Sequence, residues 1–172
     1  MDADEGPDER AFDELVGSLD HAMVIVTTAT DERRAGCLVG FHSQCSIEPR
    51  RYAVWISKLN ETYRVARRAE RFAVHVPRAE QHHLAELFGG ETGDEIDKFT
   101  RCPWTPGPGG VPLLDECPDR FIGRRIELAE VGADHACLVL APERTDRGDG
   151  SGAWFSFEAA KGIDAGHPPE GG

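Results

Sequence analysis

The chain has 172 residues and a formal net charge of -12 at pH 7, enough length for one domain with a sizeable core and too little for two ordinary ones. An isoelectric point near 5.0 gives a surface that repels phosphate backbones and anionic lipids over its average extent, which argues against nucleic acid and membrane as partners. An anionic small molecule would need a local electropositive pocket to overcome that field.

The first ten residues are acidic and polar, not a basic segment followed by an apolar run, so no signal peptide is readable. No later apolar stretch approaches the roughly 20 residues of a membrane helix. A cytoplasmic protein is expected. The five cysteines, Cys37, Cys45, Cys102, Cys117 and Cys137, form no CxxC pair and no metal-finger spacing, which fits reduced thiols serving as small core hydrophobes.

In chain order, residues 1–9 read as a disordered acidic tail, with a short amphipathic helix over 8–19 carrying Phe12, Leu15, Val16 and Leu19 on one side. Residues 22–28 are β-branched and apolar, a buried-strand pattern, and the polar turn 30–34 leads into a second strand over 36–46. These two are expected to pair as a hairpin. After Pro49, residues 51–57 give a third strand, 60–69 a helix with Asn60 as N-cap, and 71–76 a strand again.

Residues 79–88 read as a helix ended by Gly89-Gly90, and 100–112 as a Gly/Pro-rich loop too punctuated for regular structure. Residues 120–131 and 135–142 form a second hairpin around Gly132-Ala133-Asp134, and 153–157 add a further strand. The folded domain is expected over 10–163, with a disordered tail at 164–172. Several short strands without an alternating strand-helix-strand series argue for a mainly β fold with short helices, a small antiparallel barrel and not a Rossmann sheet.

Chemistry concentrates in two places. Ser57-Lys58-Leu59-Asn60-Glu61-Thr62-Tyr63 joins an apolar strand to a helix, where unpaired amides, a positive local dipole, a Lys and hydroxyl side chains together suit a phosphate. Simple capping by Asn60 is an equal reading, and the charge of Glu61 opposes an anion unless its side chain turns away. Upstream, the polar stretch 40–49 can offer hydrogen bonds to the edge of a planar heteroaromatic ring, although a plain polar strand edge reads as well. His82 and His83 are neighbours on a helix and diverge by about 100°, so no metal site is expected. Cys45 reads as an inert thiol.

Together these segments resemble the flavin reductase family with the FMN-binding split β-barrel. The resemblance rests on Ser46-Ile47-Glu48-Pro49, the apolar strand 52–56, and Ser57-Lys58-Leu59-Asn60-Glu61-Thr62. It continues in Phe72-Ala73-Val74-His75-Val76, the helix 81–88, Asp97-Lys98-Phe99 and Gly132-Ala133-Asp134-His135, spanning roughly residues 20–142. Many relatives have two hydroxyl residues where this chain has Gly40 and Phe41, and a second proline in place of Arg50.

The resemblance implies a split antiparallel β-barrel that binds FMN or FAD, uses NADH or NADPH as co-substrate, and works as a homodimer. Ser43, Gln44, Cys45 and Ser46 would face the isoalloxazine ring, largely through backbone groups. Ser57, Lys58, Asn60 and Thr62 would hold the ribityl phosphate, Lys98 and Phe99 would lie near the flavin across the dimer interface, and His135 would lie near the nicotinamide. The implied activity is NAD(P)H:flavin oxidoreduction, with a partner monooxygenase receiving the reduced flavin. Two other readings stand beside it: a flavin-binding barrel with a different oxidoreductase role, and a cofactor-free dimeric binding module.

Overall fold

The computed structural model describes residues 6–90 and 96–164. Helix α1 (Pro7–Gly17) begins inside the stretch expected to be a tail, because Pro7 suits the first turn and Asp8 and Glu9 complement the helix dipole. No residue of α1 is buried. The expected first hairpin is present: β1 (Val24–Ala29) and β2 (Arg34–Val39) pair antiparallel from Val24 opposite Val39 to Ala29 opposite Arg34.

The single strand expected over 36–46 is two strands, β2 and β3 (His42–Ile47), which lie at opposite ends of the sheet. The reason is compositional. Ala35, Cys37 and Val39 of β2 are buried, whereas Ser43, Gln44 and Cys45 of β3 are exposed, so one continuous strand cannot satisfy both environments and the chain turns at Gly40-Phe41. β4 (Arg50–Ser57), the short helix α2 (Glu61–Ala66) and β5 (Arg71–His75) follow as expected.

A 3-10 turn (Ala79–Gln81) leads into α3 (His82–Gly90), which takes in the two glycines expected to end it. The stretch 100–112 carries more structure than expected: a small hairpin of β6 (Trp104–Pro106) and β7 (Pro112–Leu114) closes around a turn where Gly109 and Gly110 have φ of 69° and 80°. Those angles suit glycine alone, so the punctuation that argued against strands is the turn between them. β8 (Arg120–Glu130) and β9 (His135–Asp146) form the second hairpin. β9 runs past Pro142 because the register shifts there, which spares the ladder the missing N–H. Residues 153–157 contribute isolated bridges, Ala22 with Ser156 and Arg78 with Trp154, before α4 (Phe157–Ala160).

One antiparallel sheet of order β2-β1-β5-β8-β9-β4-β3 results. It curls until Cys37 and Val39 of β2 share a core with Val54 and Ile56 of β4, together with Phe72, Leu138 and Leu140. β2 and β4 face each other with no ladder between them among the described residues, which is the split of a split β-barrel. Burying this face supplies the main driving force for folding, on the order of 25 cal/mol per Å² of apolar area.

His75 is the conspicuous polar group of that interior. It is fully buried; its Nε2 accepts the Leu114 N–H at 3.1 Å, so the proton sits on Nδ1, which donates to the Ile25 carbonyl at 3.1 Å. Burial pushes its pKa down to about 3. In the unfolded chain a histidine titrates near 6.5, so the unfolded state takes up a proton that the fold refuses. The stabilisation is complete above about pH 6.5 and declines as pH falls from there toward 3. Urea midpoints of wild type and His75→Asn should therefore converge on acidification, with wild type losing more; parallel pH curves would contradict this.

Candidate functional site

The β4-to-α2 junction is held from several directions. Asn60 caps α2, its Oδ1 accepting the Thr62 N–H at 2.9 Å, and Ser57 accepts the Asn60 N–H on its carbonyl at 3.0 Å and the Leu59 N–H on Oγ at 3.4 Å. The Lys58 N–H donates to the Asp134 carbonyl at 2.9 Å, so the β8–β9 turn is tied to the junction. Amides expected to be open to a ligand are thus largely satisfied internally.

Lys58 is not a free cation. Its ammonium pairs with Glu130 at the end of β8, and the Tyr63 hydroxyl donates to the same carboxylate. Lys58 first, then Tyr63, hold the Glu130 carboxyl below its ordinary range. The charge of Glu61 is neutralised by pairing: its buried carboxylate is clasped by Arg33 at 3.0 Å and Arg64 at 2.8 Å. Thr62 Oγ1 is the one buried side-chain polar atom among the described residues without a hydrogen-bond partner. Burial pushes the neighbouring Cys37 thiol up, an effect that Thr62 and Lys98 offset only in part. An unsatisfied buried hydroxyl is costly to the fold.

On one side of the junction Ser57, Asn60 and His135 meet Leu38, Gly40 and Phe41 around a cavity of about 210 Å³. Ser57 and His135 are direct partners in the β4–β9 ladder, which is why strand register alone brings them together. The His135 Nδ1 donates to Asp134 Oδ1 at 2.8 Å, and this bond holds the Asp134 carboxyl below its ordinary range. It also leaves Nε2 as the free edge of the ring. The Phe41 ring, 54% exposed, sits 5.2 Å from the His135 ring at 55°.

The other expected site residues separate into different places. Ser43, Gln44 and Cys45 point to solvent on the edge strand β3, and Gln44, Cys45 and Ser46 line only a shallow depression with Ile47 and Glu48. A register shift lies between Gln44 and Ser46, and none of the four lines the His135 cavity. Lys98 and Phe99 line a third cavity, of about 360 Å³, with Gly36, Glu61 and Thr62. The Lys98 Nζ donates to the Gly36 and Phe88 carbonyls at 3.1 Å each, bolting β2 to α3, and Phe99 packs edge-on against Phe88 and Trp104. The start of α2 is the wall between the two cavities.

Arg33 and Glu130 are the residues that sequence reasoning missed, whereas Phe41 entered it only within the polar stretch 40–49 and as a departure from the family pattern. Glu130 was within reach of it, since Glu130 opposes Ala136 and Ala136 opposes Ile56, so two adjoining ladders carry it toward Lys58. His82 and His83 diverge as expected, toward Glu86 and Glu116 respectively, and no group of three metal-ligating side chains occurs among the described residues.

The orphan hydroxyl gives a direct test. Thr62→Val replaces it with an isosteric methyl and should leave the stability of the ligand-free protein unchanged or raise it by about 1 kcal/mol. A fall of that size in chemical denaturation would mean that the hydroxyl has a partner.

Comparison with known proteins supplies an independent line. The family described as flavin reductase like domain matches residues 16–156. The FMN reductase (NADH) SmoA of Agrobacterium fabrum is 28% identical over 153 residues, covering 88% of this chain and 84% of that protein. Among solved structures, the Streptomyces globisporus NADH:FAD oxidoreductase SgcE6 superposes with a TM-score of 0.75 at 20% identity, covering 84% of this chain and 86% of that one. A nitrilotriacetate monooxygenase component B homolog from Mycobacterium thermoresistibile gives 0.74 at 19% identity, covering 95% and 94%. At such identities the structural likeness speaks for the fold, while the family match spans most of the sequence. With its curled seven-stranded sheet and its match over residues 16–156, the chain belongs to the flavin reductase like domain family.

Proposed function

We propose that the protein is an NAD(P)H-dependent flavin reductase, acting on FMN or FAD. The observation that carries this reading is the convergence of Ser57, Asn60 and His135 on one cavity, beside a junction where the buried Thr62 hydroxyl lacks a partner. Its relatives named as FMN reductase (NADH) support it.

Ser57, Lys58, Asn60 and Thr62 would hold the phosphate end, with Lys58 shared between that anion and Glu130. The backbone of Gly40 and Phe41 takes the ring-facing role that the resemblance gives to Ser43, Gln44, Cys45 and Ser46, because it borders the cavity and they do not. Lys98 and Phe99 support this wall from behind. When bound, the flavin supplies the hydride acceptor and the reduced nicotinamide the donor, so the protein has to align two rings and exclude water. His135, its orientation locked by Asp134, positions the nicotinamide; it need not transfer a proton.

The working form in this reading is a homodimer. The outer edge of β3 is unpaired among the described residues, with Ile47 77% exposed, and such an edge is a ready surface for a second chain. A partner monooxygenase would take the reduced flavin, in line with the component B relative. No helix of the described residues is long and apolar enough to cross a membrane, and all five cysteines are free thiols, as in a reducing cytoplasm.

Purified protein should oxidise NADH or NADPH only when FMN or FAD is added or already bound; failure with every combination overturns the proposal. Lys58→Ala should weaken flavin binding by about 1.5 to 3 kcal/mol, since it removes a charge-assisted contact and leaves Glu130 facing the phosphate. An unchanged dissociation constant in fluorescence titration would remove Lys58 from the site. For His135→Ala the expected change is a raised KM for the nicotinamide with flavin affinity intact, and unaltered kinetics would refute its assignment.

A further inference from the structure

On this acidic chain one concave surface runs against the net charge. The turn between β1 and β2 and the outer side of α2 enclose a furrow of about 590 Å³ lined by Arg33, Arg64, Arg67 and Arg68 together with Glu32 and Glu61. Its volume falls within the roughly 300–1,000 Å³ of small-molecule sites. Glu61 contributes little free charge, since it is buried and clasped between Arg33 and Arg64, and this clasp fixes those two guanidinium groups at the furrow. Arg67 and Arg68 are exposed and enter no ion pair among the described residues, while Arg125 occupies the Ala66 and Arg67 carbonyls at the end of α2. Val65 supplies an apolar patch on the floor.

The furrow is not isolated. It shares Thr30, Glu32, Arg33 and Glu61 with the 360 Å³ cavity that Thr62 also lines, so the two concavities adjoin at the start of α2. Planar arginine forks suit phosphate oxygens, and a field of this sign on a net charge of -12 serves an anion that must be drawn locally.

We propose that this furrow is a subsite for the adenosine diphosphate half of a dinucleotide, with Arg33, Arg67 and Arg68 on the phosphates. The inference rests on the flavin reductase reading, which places the mononucleotide phosphate at the start of α2, on Ser57, Lys58, Asn60 and Thr62. Two molecules carry that adenylate half, FAD and NAD(P)H.

The test compares wild type with Arg67→Ala/Arg68→Ala, whose side chains are in solvent. Calorimetry with ADP alone should show binding to wild type that weakens with added salt and falls about tenfold or more in the variant. FMN affinity should not change, which also reports an intact fold. FAD affinity falling while the KM for NADH stays constant assigns the furrow to the flavin's adenylate, and the reverse pattern assigns it to that of the nicotinamide. The inference is overturned if wild type does not bind ADP, or if the variant binds it equally well. Absence of binding by FMN and FAD alike would instead remove the reductase reading, and the ADP arm would still decide on the furrow.

Discussion

Everything at the candidate site depends on the register of one ladder, β4 against β9. It sets Ser57 opposite His135, and the next residue, Lys58, donates its backbone N–H to Asp134. Side chains alternate along a strand, so a slip of one residue would send Ser57 and His135 to opposite faces and dissolve the cavity. The hydrophobic core enforces the register, because Val54 and Ile56 of β4 and Leu138 and Leu140 of β9 are inward only in this alignment. Core packing and site geometry are the same constraint seen from two sides of the sheet.

Electrostatics then sharpens what register positions. Carboxylates act as clamps: Glu130 gathers Lys58 and Tyr63, Glu61 gathers Arg33 and Arg64, and Asp134 orients His135. On a chain with a net charge of -12, these pairings decide where positive charge remains available. Lys58 is partly spent on Glu130, so an anion at the junction competes with a carboxylate already in place.

Much of this was legible in the sequence, for identifiable reasons. The two hairpins and the Asn60 cap follow from apolar strand runs and turn residues, the split β-barrel from the family resemblance, and the structure bears them out. The meeting of Ser57, Asn60 and His135 was not legible, since it depends on a long-range ladder between residues 78 positions apart; the resemblance put the first two at the phosphate and His135 at the nicotinamide. The break between β2 and β3 was missed because the shift from apolar to polar at Gly40 looks like a strand end turning outward. The small hairpin of β6 and β7 was missed because its glycines were read as part of an irregular loop and not as a left-handed turn. Lys98 shows a limit of another kind: a charged side chain in a motif reads as a ligand contact, whereas here it reaches the carbonyls of β2 and α3 inside the core.

The most direct test of the central claim is a crystal structure of the protein with FMN. The phosphate should lie against Lys58, Asn60 and Thr62, with the Lys58–Glu130 pair loosened and the ring beside Gly40, Phe41 and His135. An FMN molecule lying elsewhere on the barrel, with the junction's internal bonds intact and the cavity beside His135 still empty, would contradict it.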